Sequence, residues 1–157
     1  KKVKYKPSFR AMIQSIKEIL DYAKKKKMKV AIETEGSFKN KNKVLLQKPN
    51  DFENLFKHIN KNSINFNLNL GHLNLSASAF KFSKKDFIKL ISDRVVALEI
   101  SHNNGIIDQH KPLIESSSCL SYLKKFKNKK IFKILEFRDA SMTDVKESIR
   151  ILGNQIT

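Results

Sequence analysis

Residues 95–105, VVALEISHNNG, decide how this chain is read. The run from Val95 to Leu98 is apolar and β-rich, which suits a strand covered on both faces. The whole β-rich stretch is Val95 to Ile100, and its end delivers Glu99, Ser101 and His102, followed by an Asn-Asn-Gly turn. Working outward, three more stretches have the same form: Lys29 to Ile32, Ile64 to Leu70 and Ile131 to Phe137. Between them lie segments with apolar residues at helical spacing. The first holds Met12, Ile13, Ile16, Ile19, Leu20 and Ala23, with Ser8 after Pro7 as its N-cap. Asn50 and Glu53 make a capping-box start for Phe52, Leu55, Phe56 and Ile59, and Ser83 with Asp86 does the same for Phe87, Ile88, Leu90 and Ile91. Ser116 to Phe126 and Thr143 to Leu152 complete the set, with Gly153 as the C′ residue.

The order is therefore one helix, then β-α four times, an α/β class with parallel strands joined by crossovers. The repeat spacing is about 30 to 37 residues, close to one βα unit of an eight-fold barrel whose total is roughly 250 residues. Four units make half a barrel, with two open edges and an uncovered face. The expectation is that residues 1–157 are the C-terminal part of a single TIM barrel domain. An N-terminal half upstream of Lys1, or a second copy, would then close it.

Composition narrows the classes. The chain has 157 residues, 32 Lys+Arg against 15 Asp+Glu, one cysteine and 11 Phe, which is globular rather than disordered. No apolar run approaches the roughly 20 residues of a membrane span. Cys119 has no intrachain partner, so a disulfide-stapled secreted scaffold is excluded and a reducing, cytoplasmic location is expected. A net charge of +17 suits a phosphate-rich partner. The charge is nearly all lysine, however, and only Arg10, Arg94, Arg138 and Arg150 supply the bidentate group preferred for phosphate and bases. Lys24 to Lys27 read as a solvated helix C-terminus. Nucleic acid thus ranks behind a small-molecule partner.

In parallel βα folds, functional groups gather where strands end. The four strand ends deliver Glu33 and Glu35 in IETEG, Asn69 and His72 in NLGH, Glu99 and His102 in LEISH, and Glu136 and Arg138 in LEFR. Asp108 and His110 follow in the third loop as DQH. Converging carboxylate oxygens and imidazole nitrogens are what a divalent cation needs, and gathering them is costly unless a cation neutralises the carboxylates, so a divalent ion is expected. Glu35 is read as a solvent-facing or helix-contacting group, His58 as a surface residue and Cys119 as a small buried or half-buried filler. His102 serves either as a ligand or as a loop hydrogen-bonder. Glu33 and Glu136, next to apolar strand residues, are read as carboxylates too expensive to bury without a partner.

The motifs IETEG, NLGHLNLSA, LEISHNNGIIDQHKPL and ILEFR, in this order, resemble the second half of the xylose-isomerase-like barrels. This is the sugar phosphate isomerase/epimerase superfamily that also contains the abasic-site endonucleases. The resemblance covers nearly the whole chain and implies that its strands are five to eight of a (β/α)8 barrel. It implies a divalent metal (Mn, Mg or Zn) held by Glu33, Asn69, Glu99 and Glu136, with Asp108 and His110 matching a further Asp-x-His ligand pair. It also implies an acid/base pair, Glu33 and Glu136, working through an enediolate, with His72 positioning or protonating a substrate oxygen. Asn69 and Glu99 depart from the family's Asp and His at those positions. Glu99 would favour Mg or Mn over Zn. Lys39, Lys41 and Lys43 in the loop from Gly36 to Lys43 could meet a phosphate. The implied partner is a sugar or sugar phosphate. A metal-dependent isomerase/epimerase ranks first, a non-catalytic barrel relative second and a metal-dependent abasic-site endonuclease third.

Overall fold

The computed structural model describes residues 4–37 and 44–156. The lysine-bearing loop at 38–43 lies outside them. Helix α1 (Tyr5–Lys25) leads into strand β1 (Ala31–Glu33), then α2 (Pro49–His58), β2 (Asn65–Asn69), α3 (Leu70–Phe80) and α4 (Lys84–Ile91). Strand β3 (Val95–Ile100), α5 (Leu120–Leu123), β4 (Phe132–Leu135) and α6 (Met142–Ile156) complete the chain. All pairings are parallel and the sheet order is β1-β2-β3-β4. Spatial order following sequence order is what repeated crossover units produce. Among the described residues no helix is long and apolar enough to cross a membrane.

Strand alternation sorts the residues into two faces. Phe66, Leu68, Leu98 and Ile100 are fully buried and join one core with Phe9, Phe52, Leu55, Phe87, Ile91 and Phe126 from the surrounding helices and turns. Phe52 stands edge-on to both Phe66 and Phe87, at 5.4 and 4.9 Å between ring centres. Truncating it to Ala costs about 3–5 kcal/mol. The register aligns Glu33 with Asn67, and Asn69 with Glu99 and through it Ile134, on the opposite face. That face is polar on β1 and β2 and rises to the site described below.

Several expectations change in detail. Helix α1 begins at Tyr5, ahead of Pro7, and Ser8 is not its cap: the Ser8 hydroxyl donates to the Lys4 carbonyl. A proline in the first turn loses no helical hydrogen bond, so the helix extends upstream of it. Helix α2 starts at Pro49, which moves its third position to Asp51. The Asp51 carboxylate, not Asn50 with Glu53, accepts from the Gln47 and Lys48 amides at 3.1 and 3.3 Å. The Ser83 cap on Asp86 forms as expected. Helix α6 runs through Gly153 to Ile156, so that glycine is no terminus. Helix α5 is a single turn followed by a 3-10 turn over Lys124–Phe126.

Two differences bear on the site. Helix α3 follows β2 without a loop and does not show as a periodic segment, because LGHLNLSASAF is apolar on several sides and buried on several sides. Strand β4 is exposed on the face that carries the site, with Phe132 77% and Ile134 41% accessible. Glu136 just beyond it is 45% accessible, so the burial expected of it is not found. The cause is position: among the described residues β4 pairs only with β3 and is an edge of the sheet.

Candidate active site

The site grows out of the junction between β2 and α3. Asn69 is the last residue of the strand and the N-cap of the helix, and its Oδ1 accepts from the His72 amide at 2.9 Å. That bond fixes the side-chain amide, since a backbone N–H needs an acceptor. Its Nδ2 therefore faces the rim, 3.1 Å from Glu33 Oε1, 2.9 Å from Glu99 Oε2 and 3.2 Å from Glu136 Oε2. An amide has two protons for these three acceptors, so at least one is shared. Asn67, two residues earlier on the same face, donates to Glu99 Oε1 at 2.6 Å. Asn69 is fully buried, and its backbone amide donates to Thr34 Oγ1 at 3.1 Å. Burial, and then the neighbouring Glu99 carboxylate, push the Glu33 pKa above the usual carboxylate range, against the lowering effects of Asn69 and His72.

A second cluster adjoins the first. His72 sits in the first turn of α3, with Nδ1 3.0 Å from the Thr34 carbonyl and 3.2 Å from Glu33 Oε1. The Thr34 carbonyl can only accept, so Nδ1 carries a proton, and Nε2 lies 3.9 Å from Asp108 Oδ1. Asp108 lies 2.9 Å from His110 Nε2. His110 is buried and holds a left-handed backbone (φ 46°), which aims its ring inward from the loop. Its Nδ1 is 3.0 Å from Glu136 Oε2 but makes no hydrogen bond. With Nε2–H donated to Asp108, Nδ1 stands at ion-pair distance from a carboxylate oxygen but is not directed along a hydrogen bond to it. Arg138 flanks the cluster, its amide donating to the His110 carbonyl at 2.8 Å and its guanidinium to the Asp108 carbonyl at 3.1 Å.

Ligand atoms of His72, Asp108 and His110 lie within 4.8 Å of one another, a spacing that fits one divalent cation. The orphaned His110 Nδ1 beside Glu136 points the same way. The carboxylates Glu33, Glu99 and Glu136 fit a cation by charge. Asn69, expected among the ligands, turns its carbonyl oxygen into the helix cap and its donors to the rim. His72, expected as a catalytic group, stands in the ligand cluster.

The remaining candidates fall outside. Glu35 is exposed. His58 is exposed and edge-on to Phe9. His102 pairs in backbone with Lys111, and its Nδ1 meets Ser117 Oγ at 3.1 Å, so the loop hydrogen-bonding use is the one found. Burial, reinforced by Lys111, lowers its pKa. Cys119 is buried in the core. Thr34 and Asn67 were not anticipated; the alternation NFNLN, which puts Asn65, Asn67 and Asn69 on one face, is the signal that could have shown Asn67. A cavity of about 610 Å³ lined by Lys17, Met28, Asn60 and Asn65 lies at the opposite, N-terminal end of the strands, away from this chemistry.

The fold has clear counterparts. The family model described as xylose isomerase-like TIM barrel matches residues 1–155. The chain belongs to that family. Among solved structures, a D-tagatose 3-epimerase-like protein superposes with a TM-score of 0.70 at 19% identity, over 95% of this chain and 57% of that one. A protein from Rhodospirillum rubrum named as a candidate xylose isomerase gives 0.68 at 14% identity, over 87% and 51%. A Thermus thermophilus protein whose crystal was soaked with ZnCl2 gives 0.63 at 12% identity, over 94% and 54%. No curated protein matches. At these identities the solved structures show the fold alone, and the chain spans about half of their length. The four parallel strands are part of a xylose isomerase-like barrel.

Proposed function

We propose that this chain forms the catalytic rim of a divalent-metal-dependent sugar or sugar-phosphate isomerase or epimerase, and that its four βα units are strands five to eight of the barrel. The observation that carries the reading is the convergence of Glu33 and Glu136 on one nitrogen of Asn69, although they come from opposite edges of the sheet. Two carboxylates facing each other across a small gap can remove a proton from one side of a carbon and return one to it. The similarity to sugar-processing relatives supports the substrate class.

The roles follow from the geometry. Glu33, with its raised pKa, is suited to hold the proton, and Glu136, more accessible, to take it. His72, with Nδ1 anchored on the Thr34 carbonyl, presents Nε2 to a substrate oxygen or to a cation. A bound divalent ion, held by His72, Asp108 and His110 or by the carboxylates, would polarise the substrate carbonyl and acidify the adjacent C–H. Asn67 and Asn69 hold Glu99 and keep the carboxylates from springing apart.

Solvent-deuterium incorporation into the substrate tests the reading. The intact protein should exchange the proton at the reacting carbon, and Glu136→Gln should abolish that exchange. Undiminished incorporation in the variant removes Glu136 from the mechanism.

One observation favours a second reading. Asn69 satisfies the carboxylates with its own donors, as a non-catalytic relative without an ion would need. Elemental analysis after dialysis separates the two: a stoichiometric divalent ion supports the enzyme, and none retained or restorable supports the non-catalytic relative. Abasic-site cleavage with a steep salt dependence of DNA binding would instead assign the same rim to a nuclease.

A further inference from the structure

His72 is carried by α3, whereas Asp108 and His110 are carried by the loop between β3 and α5. We propose that Asn103 is the positioning residue that locks these two carriers together and sets the gap across which His72 faces Asp108 and His110; the proposal rests on reading this cluster as the ligand-binding site.

Asn103 is 5% exposed and uses both the nitrogen and the oxygen of its amide. Its Nδ2 donates to the Gly71 carbonyl at 2.9 Å, in the first turn of α3 and next to His72. Its Oδ1 accepts from Asn74 Nδ2 at 2.7 Å, also on α3, and from the Gly105 amide at 3.0 Å, within its own loop. The orientation is fixed from outside, because the Lys84 ammonium donates to Asn74 Oδ1 and leaves Asn74 Nδ2 facing Asn103. One side chain thus ties the loop to α3 on both sides of His72.

The local backbone is built for this approach. A Cβ on Gly71 would stand 2.7 Å from Ser101 Oγ and 3.2 Å from Asn103 Nδ2, so glycine is what lets the loop close on the helix. The Gly105 amide donates to Asn103 Oδ1, and its φ of +76° turns the chain there in a conformation that favours glycine. At its base the loop is pinned by the reciprocal His102 and Lys111 backbone bonds, at 2.8 and 3.0 Å. Asp108 and His110 therefore ride on a loop held at its base by that bridge and at its flank by Asn103. Partners of this kind are commonly worth 10–100-fold in metal affinity.

Asn103→Asp keeps the acceptor for Asn74 and Gly105 and sets a carboxylate oxygen against the Gly71 carbonyl. Asn74→Ala removes the Asn74 half of the tie from the helix side with a good helix former and leaves the Gly71 bond, so the test survives if the first variant fails to fold. The first readout needs no metal: the NOE between the His72 and His110 rings, which stand 5.7 Å apart at 88°, measured beside a dispersed amide spectrum. It should be lost or strongly weakened in a folded variant. The second is Co2+ affinity, which should fall at least tenfold with a changed visible spectrum. An unchanged ring NOE in a folded variant overturns the proposal. A parent protein that binds no Co2+ sinks the metal reading alone, and the NOE still decides the role of Asn103.

Discussion

The Asn69 side chain joins the helix that carries His72 to the carboxylate pair Glu33 and Glu136: its oxygen caps α3 at 2.9 Å while its nitrogen stands 3.1 and 3.2 Å from the two carboxylates. Asn69→Asp separates these duties. An aspartate still accepts from the His72 amide, but it replaces the donors with a fourth negative group in a buried place. The metal-free variant should lose roughly 1–3 kcal/mol, seen as a lower melting temperature at pH 7. Mn2+ or Mg2+ should restore the loss, because a cation neutralises what the amide no longer satisfies. A melting temperature that neither ion raises would mean that the rim does not take a hard cation.

Glu33 gives a pH-dependent counterpart. Its folded-state pKa is raised by burial and by Glu99, so the folded protein holds this proton more tightly than the unfolded chain. The stability linked to it is present below the ordinary carboxylate range and is lost as pH rises through Glu33's own value. Glu33→Gln keeps an acceptor for Asn69 and removes the titration. The metal-free variant should melt higher than the parent at pH 7, with the difference shrinking toward pH 4. Equal melting curves at both pH values would contradict the raised pKa.

How much of this was legible in the sequence depends on what each residue's neighbours are. β3 was readable to the residue, because Val95 to Ile100 is central and buried and only Glu99 interrupts its apolar residues before the polar Ser101–Gly105 turn. α3 was not, because a helix buried on several sides loses the amphipathic period, and Asn69 as its cap shows only once the strand is known to end there. The carboxylates at strand ends could be named, but not that Asn69 would offer them hydrogens. That follows from a single capping bond. Glu136 read as buried from its apolar neighbours because a lone strand pattern does not say that its strand lies at an edge. His72 lies far in sequence from Asp108 and His110, and the Asn103 tie that gathers them is a side-chain link between a loop and helix α3.

Gly36 tests the seat of His72. A Cβ there would lie 2.9 Å from His72 Cδ2 and 3.1 Å from Cγ, with the helix backbone at 3.3 Å behind the ring. Gly36→Ala must push the ring out of line with the Thr34 carbonyl and Asp108. Isothermal titration with Zn2+ should show affinity reduced roughly tenfold or more, in line with the loss of a supporting contact to a ligand, while the far-UV spectrum stays unchanged. Parent-like affinity would show that His72 is not among the ligands.

Cys119 is the control that separates burial from chemistry. It sits 4% exposed beside Leu120 and Leu123, and burial pushes its thiol up to about 11, against the lowering effect of Lys84. A thiolate is the reactive form, so alkylation of the folded protein at pH 8 should be slow and should speed up only in denaturant. The linkage has a definite sign. Because the folded pKa is raised, its stabilisation is complete below the unfolded thiol's value of 9.0 and is lost as pH climbs toward about 11, on the order of 2–3 kcal/mol across that window. Cys119→Ala should flatten this alkaline loss, measured by urea unfolding at pH 8 and pH 10.5, at the ordinary cost of a small core truncation. Fast labelling of the native protein at pH 8 would mean that the thiol is open to solvent, and the core around α5 would have to be redrawn.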